Sequence, residues 1–128
     1  MKKIVLFISF TIFLFANDMK WFKFDKALNI AKNSNKIVMI KAMSQDCHYC
    51  IEMERDVLND KEVMKEINRY FIPVKIDIYK DNLPVDINVY LTPTFIFIDK
   101  NKKVIKKIPG AWHKEDFLNI LDEVRKIK

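Results

Sequence analysis

The sequence predicts one α/β domain: a mixed sheet of about four strands with helices on both faces. Three observations predict it. Four short apolar stretches of strand length lie at 36–43, 71–78, 94–99 and 103–108, separated by segments with helical periodicity or turn chemistry. The first two flank helical sequence, so their connection is a right-handed crossover and the pair is parallel. The last two are joined by Lys100-Asn101-Lys102 alone, a link short enough only for an antiparallel pair.

Each element has its own signal. Phe24, Ala27, Leu28 and Ala31 fall at i, i+3, i+4 and i+7, the stripe of an amphipathic helix over 25–35. Lys36–Met43 (KIVMIKAM) is rich in branched apolar residues and reads as a buried strand. Ser44-Gln45-Asp46 is a polar break, after which helical spacing resumes at Cys47 and carries Cys50, Met53, Glu54 and Val57 on related faces. Asn59-Asp60 interrupts it, and a second short helix over 61–70 carries Val63, Met64 and Ile67. The strand at 71–78 has Pro73 near its start, which points to a sheet edge or an irregular beginning. Residues 79–91, with Pro84 and scattered acids, read as a loop with at most one helical turn. Lysines at 103, 106 and 107 suit the fourth strand to an exposed edge, where charge discourages pairing with other chains. A last helix over 113–128 turns Phe117, Ile120, Leu121, Val124 and Ile127 inward.

Residues 1–16 stand apart. Met1-Lys2-Lys3 is basic, Ile4 to Ala16 is apolar apart from Ser9 and Thr11, and Asn17-Asp18 ends the run. That run falls short of the roughly 20 residues needed to span a bilayer and has the parts of a secretory signal, with cleavage expected near Ala16. The expected mature domain is 17–128, periplasmic or otherwise exported. The chain of 128 residues is half apolar with a single glycine, which fits a packed core and excludes a disordered or linker-rich protein. Its net charge of +6 falls to +4 without Lys2 and Lys3. The cations are dispersed lysines with no arginine cluster interleaved with aromatics, so no nucleic-acid partner is expected.

Cys47 and Cys50 are the only cysteines. In an oxidising compartment a C-x-x-C pair is a structural disulfide or a redox couple. A bridge closing so small a loop gains little chain entropy, which favours the redox couple. Cys47 opens a helix directly after a strand, where amide N–H groups and the helix dipole stabilise a thiolate. Cys50, one turn on, shares its face and can resolve a mixed disulfide. That chemistry needs no cofactor. Two other readings stay open: a metal site using the cysteines with His48 or His113, although two cysteines and two histidines barely supply four ligands, and an interaction protein with an inert disulfide.

Strand–Cys47-His48-Tyr49-Cys50–helix, then Thr92-Pro93-Thr94-Phe95 opening a strand, then Gly110-Ala111 before the last helix, resembles the thioredoxin superfamily over 21–128. Trp21-Phe22-Lys23-Phe24-Asp25-Lys26-Ala27-Leu28 and Phe71-Ile72-Pro73-Val74-Lys75-Ile76-Asp77 resemble small exported thioredoxin-like proteins and the disulfide-reducing domains of bacterial transmembrane electron carriers. The resemblance implies a thioredoxin-like fold and a thiol–disulfide oxidoreductase, with Cys47 the exposed nucleophile and Cys50 the resolving thiol. It implies a cis-proline at Pro93, pairing of the Thr92 backbone with an extended substrate segment, and approach of that substrate past Gly110. Exported client proteins, a membrane electron donor and a monomeric state go with it.

The departures concern tuning. Asp46 stands where thioredoxins carry tryptophan, and Lys41 where they carry a buried acid; His48-Tyr49 lacks their proline. Lys41 is expected to extend its ammonium to water. His48, as a cation and donor beside Cys47, and Lys41 both favour the thiolate, while Asp46 opposes it from a screened position. The expected potential lies above the thioredoxin value of about −270 mV and below that of the strongest exported oxidants, about −120 mV.

Overall fold

Helix α1 (Phe24–Ser34) forms where the apolar stripe is, burying Ala27, Leu28 and Ala31, and it ends at Asn35 in the left-handed region. Its alanines let the helix approach the sheet closely. A computed structural model describes residues 18–127, so the secretory-signal reading of 1–16 lies outside the described residues. Chain order is α1, β1 (Ile37–Met43), α2 (His48–Met53), a π-turn (Glu54–Leu58), α3 (Lys61–Tyr70), β2 (Phe71–Asp77), β3 (Thr94–Ile98), β4 (Val104–Pro109) and α4 (Lys114–Arg125).

The strands form one sheet in the order β2-β1-β3-β4. β1 pairs parallel with β2, as the crossover requires, and antiparallel with β3; β3 pairs antiparallel with β4. Pro73 lies on the edge strand β2, where its missing N–H breaks no ladder, and its carbonyl accepts the Phe22 N–H at 2.9 Å. Lys106 and Lys107 lie on the other edge; Lys103 falls just outside β4, which runs on to Pro109.

Two cores lie on opposite faces. On one, Ile37, Met39, Phe71, Phe95 and Phe97 of the sheet meet Met53, Val57, Leu58, Val63 and Ile67 from α2 to α3, and Phe117, Leu121 and Val124 of α4. Phe95 packs on Phe117 with ring centroids 4.9 Å apart. Burial of each such ring is worth about 1.5–3 kcal/mol. On the other face Val38, Ile40, Val74, Ile96 and Ile98 lie under α1. The rest of that face is covered by the 79–91 segment, which opens on a single helical turn, the Lys80 and Asp81 N–H groups both donating to the Asp77 carbonyl at 3.1 and 2.9 Å. Leu83, Val85, Ile87 and Val89 pack onto the core from an irregular strap that bends at 84–86.

Three expectations need correction. Continuous helix after Cys47 gives way to the π-turn, where the Asn59 N–H reaches back five residues to the Glu54 carbonyl at 3.0 Å. α4 ends at Arg125, so Ile127 lies past the helix and is 54% exposed instead of inward. Lys41 does not reach water: it sits in the middle of a central strand with helix above it, and its side chain is wholly buried.

Candidate functional site

Cys47 and Cys50 are joined as a disulfide, with Cα atoms 5.2 Å apart. Cys47 is the N-cap of α2, in extended conformation at the end of the polar break. Its sulfur accepts the Cys50 N–H at 3.1 Å, satisfying a donor that the helix start would leave open. The same sulfur lies 3.3 Å from the Thr92 carbonyl oxygen, and Thr92–Pro93 is a cis peptide bond. The Ser44 and Thr92 hydroxyls lie 3.3 Å apart, tying the loop after β1 to the segment before β3. Cys47, expected to be exposed, is buried in the disulfide form, but it keeps 9% of its surface accessible against 1% for Cys50. After reduction, iodoacetamide is therefore expected to modify Cys47 first at neutral pH, its thiolate favoured by the helix start. Peptide mapping of the partly labelled protein checks this, and faster labelling of Cys50 would reverse the two roles.

Gly110 adopts φ +94°, a region that disfavours side chains, and its N–H donates to the Pro93 carbonyl at 2.8 Å. Space above its Cα is open: an added Cβ would meet nothing within 4 Å. The turn conformation thus accounts for the glycine, and it also leaves a clear rim beside Pro93.

Beneath the disulfide lies a charged cluster that sequence reasoning located only in part. The Lys41 ammonium donates to the Cys50 carbonyl at 3.1 Å and to Glu54 Oε2 at 2.9 Å. Glu54 Oε1 accepts from Lys75 at 2.7 Å. Lys41 and Lys75 are register partners on β1 and β2, so both reach the same face, and the Trp21 ring lies 5.7 Å from one ammonium and 4.8 Å from the other. Burial pushes the Lys41 ammonium below its ordinary value, against the Glu54 hydrogen bond and charge that hold its proton. Burial also works to raise the Glu54 carboxyl, but hydrogen bonds from Lys75 and Lys41 outweigh it and hold the group below its ordinary range. Glu54 was missed as a site residue. Its signal was present: it lies one helical turn past Cys50, and a lysine inside an apolar strand calls for a carboxylate.

His48 is mostly exposed and its Nε2 lies 2.9 Å from Glu52 Oε1, turned to its own helix instead of to the Cys47 sulfur as expected. Asp46 is exposed beside the site. Tyr49, 64% exposed, stands between the cysteines at the head of a groove of about 590 Å³ that also passes Thr92 and Gly110. Among the described residues no group of three or more His, Cys, Asp or Glu side chains is placed to hold a metal ion.

A family model described as a thioredoxin-like domain matches residues 24–125. Solved structures are similar along most of the chain. A thioredoxin from Thermus thermophilus is 26% identical, with 84% of this chain and 87% of that one covered and a TM-score of 0.74. A disulphide isomerase from Xylella fastidiosa is 19% identical, covering 78% and 86% at a TM-score of 0.64. The C-terminal domain of DsbD from Neisseria meningitidis, in its reduced form, is 17% identical, covering 77% and 91% at 0.63. These last two share the fold. No curated protein matches the chain.

Proposed function

The chain belongs to the thioredoxin-like domain family, and from that premise we propose that it is an exported thiol–disulfide oxidoreductase acting as a reductase of client proteins. The observation that carries this reading is the Cys47 sulfur: at a helix start, bonded by the Cys50 N–H, and 3.3 Å from the Thr92 carbonyl oxygen at the rim of the groove. A structural bridge gains nothing from that placement, whereas an attacking thiolate gains stabilisation there.

In the reduced protein the Cys47 thiolate attacks one sulfur of a client disulfide. A new S–S bond joins Cys47 to the client, the client bond breaks, and the released client thiolate takes up a proton from solvent. Cys50 then loses its proton and attacks the Cys47 sulfur, releasing the second client thiolate. The client gains two electrons and two protons, and the Cys47–Cys50 disulfide is re-formed. The next cycle needs two electrons from a dithiol donor, which for an exported protein is a membrane electron carrier.

The charges favour an intermediate potential. His48 is engaged by Glu52 and Lys41 by Glu54, so neither acts on the sulfurs as an unopposed cation. What remains is two ammoniums against one carboxylate, Lys41 and Lys75 with Glu54, below Cys50. That net positive charge favours the reduced form modestly, which suits a potential above about −270 mV and well below about −120 mV. Export itself rests on the apolar run of 4–16 and its basic start.

The test is trapping. Cys50→Ser leaves the attacking thiolate but removes the resolving one, so the variant expressed in its host should accumulate mixed disulfides with exported proteins through Cys47. Cys47→Ser should accumulate none. Absence of dithiothreitol-sensitive adducts on Cys50→Ser, with a Cys47–Cys50 disulfide that wild-type cells keep oxidised, would overturn the reductase reading.

A further inference from the structure

Resting on the oxidoreductase reading, we infer that the groove beside Cys47 selects client segments that present a large apolar side chain and a lysine or arginine next to the cysteine under attack. The groove is built by two walls. Tyr49, Glu52, Met53, Asp56 and Val57 form one helical stripe along α2 and the π-turn, at i, i+3, i+4, i+7 and i+8. Leu91 with Thr92, and the loop from Gly110 to His113, form the other. The Trp112 N–H lies 3.1 Å from the Met53 sulfur, which fastens the loop to the helix at the groove floor.

The lining has two chemical parts. Tyr49, Met53, Val57, Leu91 and Trp112 offer apolar surface, and Leu91 and Trp112 are 49% and 37% exposed. A volume of about 590 Å³ takes an indole or a long aliphatic side chain together with the backbone carrying it. Glu52 and Asp56 are the acids of the lining, and no lysine or arginine lines it. That is an inversion in a chain with 23 basic residues and a net charge of +6. Their present partners are exposed: His48 pairs with Glu52, and Arg55 with Asp56. Exposed pairs of this kind are worth little, so a client cation replaces them at small cost.

Because the groove is lined by Thr92, whose carbonyl oxygen lies 3.3 Å from the Cys47 sulfur, and by Tyr49, which stands between the two cysteines in the chain, its occupant is the stretch of client covalently next to the target cysteine. Glutathione, with two carboxylates in each half and no large apolar group, suits this lining poorly.

The experiment uses the pre-reduced full-length mature protein and four peptide disulfides. Their cysteine is flanked by tryptophan or alanine on one side and by lysine or glutamate on the other. Each second-order rate is divided by the rate of the same peptide with dithiothreitol, which removes the effect of the flanking charge on the leaving thiol. The tryptophan–lysine peptide is expected to react about tenfold faster than the alanine–glutamate peptide. High salt should erase the lysine advantage and leave the tryptophan advantage. In Trp112→Ala the tryptophan preference should shrink, and in Glu52→Gln/Asp56→Asn the lysine preference. Normalised wild-type rates equal within twofold would overturn the groove inference and leave the oxidoreductase reading standing. Failure of all four peptides to react with reduced protein would overturn that reading and the inference with it. The wild-type ratios decide even where a variant folds poorly.

Discussion

Glu54→Gln is expected to cost about 3 kcal/mol of folding stability, because it strips the only carboxylate from two ammoniums, one of them fully buried. Lys41 would then keep the Cys50 carbonyl alone, and a buried cation without a counter-charge carries an unmatched desolvation cost. The pH dependence follows from the two shifted groups. Glu54 is held below its ordinary 4.5, so the stability it contributes is present above that value and is lost as pH falls through its folded value. The gap between wild type and Glu54→Gln should therefore close in acid. Lys41 is depressed below its ordinary 10.5, so between its folded value and 10.5 the unfolded chain binds more protons and stability rises with pH. In Glu54→Gln the Lys41 value drops further, and that alkaline rise should begin earlier. Urea unfolding at about pH 3, 7 and 9 reads all of this. A variant as stable as wild type at neutral pH would show that the triad is solvated enough to carry no net pairing energy.

Much of this was legible beforehand because the deciding signals are local. Branched apolar runs gave the strands, and Lys100-Asn101-Lys102 left no route but a hairpin. The lysines near β4 mark one sheet edge, and Pro73 is compatible with the other, where β2 lies. The strap at 79–91 was harder: its alternation at 83, 85, 87 and 89 is the period of a strand, but it makes no ladder and is interrupted by Pro84. Its conformation comes from the apolar face it must cover, which only the assembled sheet presents. The π-turn has no sequence signal of its own. Lys41 shows the largest gap between pattern and structure. As one charged residue in a strand, it reads in sequence as reaching for water. Register placed it beside Lys75 under α2, and the helix brought Glu54 down onto both. The cysteines needed no such assembly, since C-x-x-C at a strand–helix junction is a signal contained in four residues.

Lys41→Met is expected to behave in the opposite way to Glu54→Gln, leaving stability unchanged or raising it by about 1 kcal/mol. Methionine fills nearly the same volume without a charge to desolvate. Glu54 keeps Lys75 at 2.7 Å, and the Cys50 carbonyl keeps the Glu54 backbone N–H, so neither partner is stranded. The redox consequence is larger than the structural one. Loss of a positive charge below Cys50 disfavours the thiolate and with it the reduced form, so the disulfide becomes harder to reduce. A change of about 1.4 kcal/mol in that balance lowers the potential by about 30 mV. Glu54→Gln, by leaving positive charge unopposed, should raise it by a similar amount. Equilibration of each variant against glutathione buffers, with the fraction oxidised read by thiol alkylation, gives both shifts on one scale. Movement of the two potentials in the same direction would mean that the cluster acts on the cysteines through packing and not through charge. Opposite movement, with Lys41→Met still fully folded, identifies the buried lysine as the residue that sets how readily this protein gives up its electrons.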